Sequence, residues 1–195
     1  MEKILVVVDM QNDFIDGPLG TPEARGIVDN VCKKIREGEW DEILLTYDTH
    51  ESVFNPSYFE TQEGKRLPIK HCVVNTDGWK LNDKVKTEVV DCKSTCYAIN
   101  KFTFGSGRLV DKLTYTCRDY MERDLEITLV GVCTDICVVS NALLLKAHFS
   151  EARIVVDASC CAGTTPANHL MALVVMKSCQ IDIENEPCAW LKLVD

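Results

Sequence analysis

A thiol becomes a nucleophile when a base takes its proton and a nearby charge steadies the result, and this sequence sets those residue types at the ends of apolar runs. Cys133 and Cys137 lie in VGVCTDICVV, residues 130–139, where a β-rich run gives way to helical spacing. Thr134 or Asp135 suits the cap of the helix that follows. Cys137 then falls in the first helical turn, where free backbone N–H groups and the positive end of the helix dipole lower a thiol pKa and can hold a developing oxyanion. Asp9 closes the apolar run ILVVVD, and a carboxylate so placed needs a partner once it leaves water. Lys101, after CYAIN, supplies one, and an ion pair beside a thiol keeps a base ready. Singly, each residue also reads as core filler or a structural salt bridge; jointly they read as nucleophile, base and cation. Asp48, His50 and His71 form a second set, an oxygen and two imidazoles suited to zinc, iron or manganese.

Positioning these residues requires strands that deliver their ends to one edge. Runs at 4–9, 42–48, 125–132 and 153–158 are short, apolar and continuous, which is how strands buried on both faces read. Weaker strands are predicted at 71–74 and 96–101, for about six in all. PEARGIVDNVCKKIREG and TDICVVSNALLLKAHFSEA carry helical spacing between strands, and residues 165–179 form a last long helix before QIDIE. Strand alternating with helix predicts an α/β fold, a Rossmann-like doubly wound αβα sandwich of three layers around a mostly parallel six-stranded sheet. Ligands bind beyond the carboxyl ends of such strands, which is where Asp9, Asp48, His50, Lys101, Cys133 and Cys137 fall. Residues 51–82 make a long polar segment of little periodicity, and connections of that length are usually functional. The whole span 1–195 is expected to form a single domain.

Bulk charge narrows the partners. A net charge of -9 and a pI near 5.0, with Lys and Arg scattered, repel nucleic acid and anionic lipid, so neither is an expected partner. The apolar run in MEKILVVVDM is too short for a signal core or a membrane span, and a cytoplasmic location is expected. Eleven cysteines, an odd number in a chain with a large core, are expected to be reduced. A structural zinc site built from Cys92, Cys96, Cys133 and Cys137 is disfavoured by their spacing, and His148 and His169 are expected to be structural.

Taken in order, VVVDMQNDF, DTH, LPIKHCV followed by TDGW, INKFTFGSG and GVCTDICVVSNA resemble the isochorismatase-like cysteine hydrolases, most closely the nicotinamidases and pyrazinamidases, over nearly the whole chain. That resemblance implies a catalytic triad of Asp9, Lys101 and Cys137, and a cis peptide between Val132 and Cys133 that aims the amide of Cys133, with that of Cys137, into an oxyanion hole. It implies a divalent metal on Asp48, His50 and His71 that holds a pyridine nitrogen. The third histidine of the common pattern is missing after His50, so Glu63 or Glu60 is expected to substitute. Leu67 stands where nicotinamidases often carry a pocket tryptophan, while Phe14, Trp79 and Phe104 are candidates to stack on a ring. The implied reaction is hydrolysis of a small amide such as nicotinamide through a thioester, in a homo-oligomer. A carbamoyl, ureido or maleamate substrate cleaved without metal is the enzymatic alternative, and a non-catalytic binding subunit of the same fold is the alternative from a different class.

Overall fold

A computed structural model describes residues 1–51, 57–117 and 122–186. The six strands are β1 (Glu2–Val8), β2 (Glu42–Asp48), β3 (Thr95–Lys101), β4 (Leu125–Val132), β5 (Arg153–Ala162) and β6 (Asp182–Glu184). They form one sheet in the order β3-β2-β1-β4-β5-β6, and every pairing is parallel. The helices are α1 (Asn12–Ile15), α2 (Pro22–Glu37), α3 (Gln62–Arg66), α4 (Asp83–Asp91), α5 (Gly107–Thr116), α6 (Val139–His148) and α7 (Pro166–Ser178).

Continuous apolar strands make sense once both faces of the sheet are covered. Ile4, Val6 and Val8 of β1 point into a core shared with Leu109 and Leu113 of α5, Leu145 of α6 and Leu173 of α7. Leu5 and Val7 point the other way, toward Val28, Val31 and Ile35 of α2 and Val85 of α4. Strand alternation thus splits one run of valines between two cores and gives the expected three layers. Helix starts follow local chemistry: Thr21 caps α2 through a 3.0 Å bond from Ala24 N, and Thr165 caps α7 through a 3.1 Å bond from Asn168 N, each with proline next. Among the described residues no helix is long and apolar enough to cross a membrane.

The chain leaves β1 toward β2 on one side, while β4 lies on the other, so the strand order reverses between β1 and β4. Crevices open at such switch points, and Asp9 and Cys133 are the residues that follow these two strands.

Three expectations are corrected. Residues 71–74 form no strand: Cys72 and Asn75 have φ of 46° and 65°, which turns the backbone, and contact with the sheet side is one bridge between His50 and Val73. The sixth strand is instead β6, and the sheet is wholly rather than mostly parallel. Third, the segment from Thr134 opens as a π-turn, Thr134–Val138, before α6 begins at Val139. Neither Thr134 nor Asp135 caps it, because both side chains bond across to the start of α7 and the loop before it.

Candidate active site

Asp9, one residue past β1, has φ 50°, a left-handed conformation that costs a non-glycine residue about 1–3 kcal/mol. Its amide donates to Thr46 O at 3.2 Å, and the Thr46 hydroxyl donates to Oδ1 at 2.7 Å, so β2 fixes the carboxylate. Lys101, the last residue of β3, brings its ammonium 2.7 Å from Asp9 Oδ2 as a fully buried ion pair. The same Nζ lies 3.3 Å from Asp48 Oδ1 and 3.4 Å from Cys137 Sγ. One cation therefore serves two carboxylates and a thiol.

The electrostatics follow from that shortage of positive charge. Burial pushes the Asp9 carboxyl up, Lys101 opposes, and Asp48 adds to the rise. Burial also works to raise Asp48, but Lys101 and bonds from His50 and His71 outweigh it and hold that carboxyl well below the usual range. Lys101 is desolvated as well, yet Asp9, Cys137 and Asp48 keep it firmly protonated. Burial dominates at Cys137 and drives its thiol well above the ordinary value, with Lys101 opposing. Cys137 is the fourth residue of a π-turn and only 6% exposed, rather than in the first turn of a regular helix as expected.

Side chains that sequence reasoning passed over hold the Cys137 turn. Asn141, fully buried on α6, donates through Nδ2 to Cys137 O at 2.8 Å and Phe104 O at 3.1 Å, and accepts from Ser106 N at 2.9 Å. It thereby ties the turn to the loop that leaves Lys101. Thr134 Oγ1 pairs with His169 Nδ1 at 2.8 Å, and Asp135 accepts from Thr164 N at 2.8 Å, which anchors the turn to the start of α7. The peptide between Val132 and Cys133 is cis, as expected. One signal was available: Asn141 is a lone amide in an apolar helix, one helical turn beyond Cys137.

Beside the trio lies a second cluster. Asp48 Oδ2 is 3.0 Å from His50 Nε2 and 3.3 Å from His71 Nε2, while Glu63 Oε1 is 3.8 Å and 3.5 Å from the same nitrogens. All four donor atoms lie within 4.8 Å of one another. Donors at about 2.1 Å from a tetrahedral ion stand about 3.4 Å apart, so this spacing and the mixed imidazole and carboxylate set fit a divalent metal. Glu63 rather than the exposed Glu60 faces the cluster. His71 donor geometry is set by Ile69 O, 2.9 Å from Nδ1. Although burial opposes it, bonds to Asp48 and Glu63 push the His71 imidazole up to about 10, a measure of how strongly the two carboxylates call for a cation. Gln11 braces Asp48, accepting from its N–H at 2.8 Å and donating to its carbonyl at 2.9 Å.

The expected ring-stacking residues take different places. Phe14 meets His71 edge-on at 5.5 Å, and the buried Tyr58 flanks His50 and His71 at 4.8 and 5.2 Å. Leu67 is half-buried and accepts the Tyr58 hydroxyl on its carbonyl at 2.7 Å. Trp79 packs on Tyr47 at 5.4 Å and donates to Thr49 Oγ1 at 3.0 Å, so its indole is already engaged. Phe104 is 46% exposed and joined to the site through its carbonyl. Cys92 and Cys96 pair with each other instead of joining Cys133 and Cys137.

The profile of the isochorismatase domain matches residues 3–185. Nicotinamidase from Saccharomyces cerevisiae is 28% identical over 180 residues, covering 72% of this chain and 80% of that protein. The crystal structure of nicotinamidase PncA from Bacillus subtilis superposes with a TM-score of 0.73 at 27% identity, over 95% of this chain and 100% of that one. Pyrazinamidase of Pyrococcus horikoshii, solved in complex with zinc, superposes with a TM-score of 0.70 at 26% identity, over 94% and 98%.

Proposed function

Because the chain belongs to the isochorismatase family, we propose that it is a cysteine-dependent amidohydrolase that cleaves a small amide such as nicotinamide to the acid and ammonia. The observation that carries this reading is the shared ammonium, with Lys101 Nζ 2.7 Å from Asp9 and 3.4 Å from Cys137. Asp9, its carboxyl raised, takes the Cys137 proton. The thiolate attacks the amide carbonyl while Lys101 offsets the new charge, and the oxyanion rests on the backbone amides of Cys133 and Cys137. Proton return from Asp9 lets ammonia leave. Water deprotonated by Asp9 then cleaves the thioester, which frees the acid and restores the thiol.

Asp48, His50, Glu63 and His71 would hold zinc, or iron or manganese, and when bound the ion supplies a Lewis-acid anchor for a ring nitrogen. Phe14 and Leu67 are the pocket walls beside it, with Trp79 and Phe104 farther out. The ten described cysteines are all free thiols, which suits a cytoplasmic setting, and we read the enzyme as a homo-oligomer with no nucleic-acid or membrane partner.

Protein purified without chelator is expected to contain about one metal per chain and to release ammonia from nicotinamide. Cys137→Ala, folded by circular dichroism, is expected to lose roughly a thousandfold or more of that turnover. Retained turnover would overturn the reading. Turnover of a ureido or carbamoyl compound in metal-free protein, with nicotinamide inert, would favour the second reading, which Leu67 supports by replacing an aromatic pocket wall.

A further inference from the structure

Cys92 is the residue that caps the end of α4 and Cys96 is the second residue of β3, so a short turn returns the chain from one to the other. Their Sγ atoms lie 3.3 Å apart, about 1.3 Å longer than a disulfide bond. The turn between them is pinned: Ser94 Oγ donates to Trp40 O at 2.7 Å, and both sulfurs face the carbonyls of Val89 and Ser94. Rotation about the Cys side chains, rather than backbone movement, is what remains to close the gap. Both residues are partly exposed, whereas Cys32, Cys72, Cys117, Cys137, Cys160 and Cys161 are buried. Among the described residues this is the one cysteine pair in sulfur-to-sulfur contact, and the exposed Cys179 has no such neighbour.

A thiol-to-thiol hydrogen bond in a packed corner gives the same distance but leaves both thiols open to alkylation after exposure to a small disulfide. We propose that Cys92 and Cys96 form a reversible dithiol–disulfide site that reacts with low-molecular-weight disulfides. With Cys92 as the entering thiol, the exchange runs in two steps. The Cys92 thiolate attacks one sulfur of the small disulfide, whose sulfur–sulfur bond breaks and releases one thiolate. Cys96, losing its proton, then attacks the Cys92 sulfur of the mixed disulfide and expels the second thiolate. Two electrons pass from the protein to the small disulfide, and the two released thiolates take up the two cysteine protons. The new bond ties the end of α4 to the edge strand whose last residue is Lys101.

Full-length protein is incubated with oxidised glutathione, acid-quenched, alkylated and mapped by mass spectrometry. The expected product is a peptide pair crosslinked between Cys92 and Cys96, lighter by two hydrogens, without glutathione and restored by dithiothreitol. In Cys96→Ser the first step has no resolving thiol, so Cys92 should retain a glutathione. In Cys92→Ser no crosslink should form. Full alkylation of both residues in a wild-type sample whose Cys179 carries glutathione would overturn the proposal, as would stable glutathione on wild-type Cys92.

Discussion

Lys101 faces Asp9, Asp48 and Cys137 at 2.7, 3.3 and 3.4 Å, and one ammonium among two carboxylates leaves no surplus charge for a standing thiolate. Burial shifts both Asp9 and Cys137 upward while Lys101 opposes at each, and the proposed step is transfer of the thiol proton to Asp9. Such transfer depends on where the sulfur points, and Asn141 governs that through Cys137 O. Removing its amide would free Ser106 N–H and the carbonyls of Phe104 and Cys137 in a buried place, at a cost of about 2–3 kcal/mol. Asn141→Ala is expected to lower kcat by about tenfold to a hundredfold while KM changes little, because a misplaced nucleophile binds substrate normally. Steady-state kinetics decide it: a KM rise at constant kcat would assign Asn141 to binding. Asp9, Lys101, Cys137, Asp48, His50 and His71 were legible because polar residues at the ends of apolar runs stand out. Asn141 was not, since two of its three partners, Ser106 and Phe104, come from a loop about 35 residues away in sequence.

Between residues and layers, the strands decide what can meet. The β4–β5 register shifts between Leu129↔Val156 and Gly131↔Cys161, with the extra residues on β5, and Gly131 takes φ 119° where it pairs with Val8, the residue before Asp9. A Cβ at Gly131 would sit 2.1 Å from Val8 O, against backbone that cannot yield. Gly131→Ala is therefore expected to destabilise by about 3 kcal/mol or more, read as a lower urea midpoint, because strain and clash combine. Gly107→Ala, with open space around its Cβ, should shift the midpoint far less. Equal effects would show that β1 and β4 separate freely, against the close approach described. The positive φ at Gly131 was invisible in LEITLVGV, which reads as a regular strand. HCVV misled for the opposite reason: its letters are strand-like, but positive φ at Cys72 bends the chain. Strand β6 has three residues, too few to show periodicity.

At the scale of the whole molecule, parallel character was readable because the runs are buried on both faces, whereas strand order depends on crossovers that leave no local mark. The order matters for stability because β5 and β6 lie at the edge far from Lys101 and need an anchor to the helical layer. Asp157 of β5 provides it: Oδ2 meets Lys34 Nζ of α2 at 2.8 Å, and Oδ1 accepts from Ser159 Oγ at 2.7 Å and Asn185 Nδ2 at 3.0 Å. Burial works to raise the Asp157 carboxyl, but Lys34, Asn185 and Ser159 outweigh it and hold it below its ordinary value of 3.8. A depressed carboxyl stabilises the fold above its unfolded value and loses that contribution as pH falls through the lower folded value. Lys34 works in the opposite sense: desolvation is outweighed by Asp157 and Glu184, so its pKa is raised, and its contribution is lost only as pH climbs above the ordinary 10.5. The anchor therefore holds across the neutral range and fails in acid. Asp157→Asn is expected to cost about 2 kcal/mol near neutral pH, less than a fully buried pair because Lys34 is partly exposed. Urea titrations should show the gap between wild type and variant narrowing as pH falls below 3.8. A gap that stays constant from neutral pH into that range would mean that packing, and not the charge on Asp157, fastens α2 to this edge of the sheet.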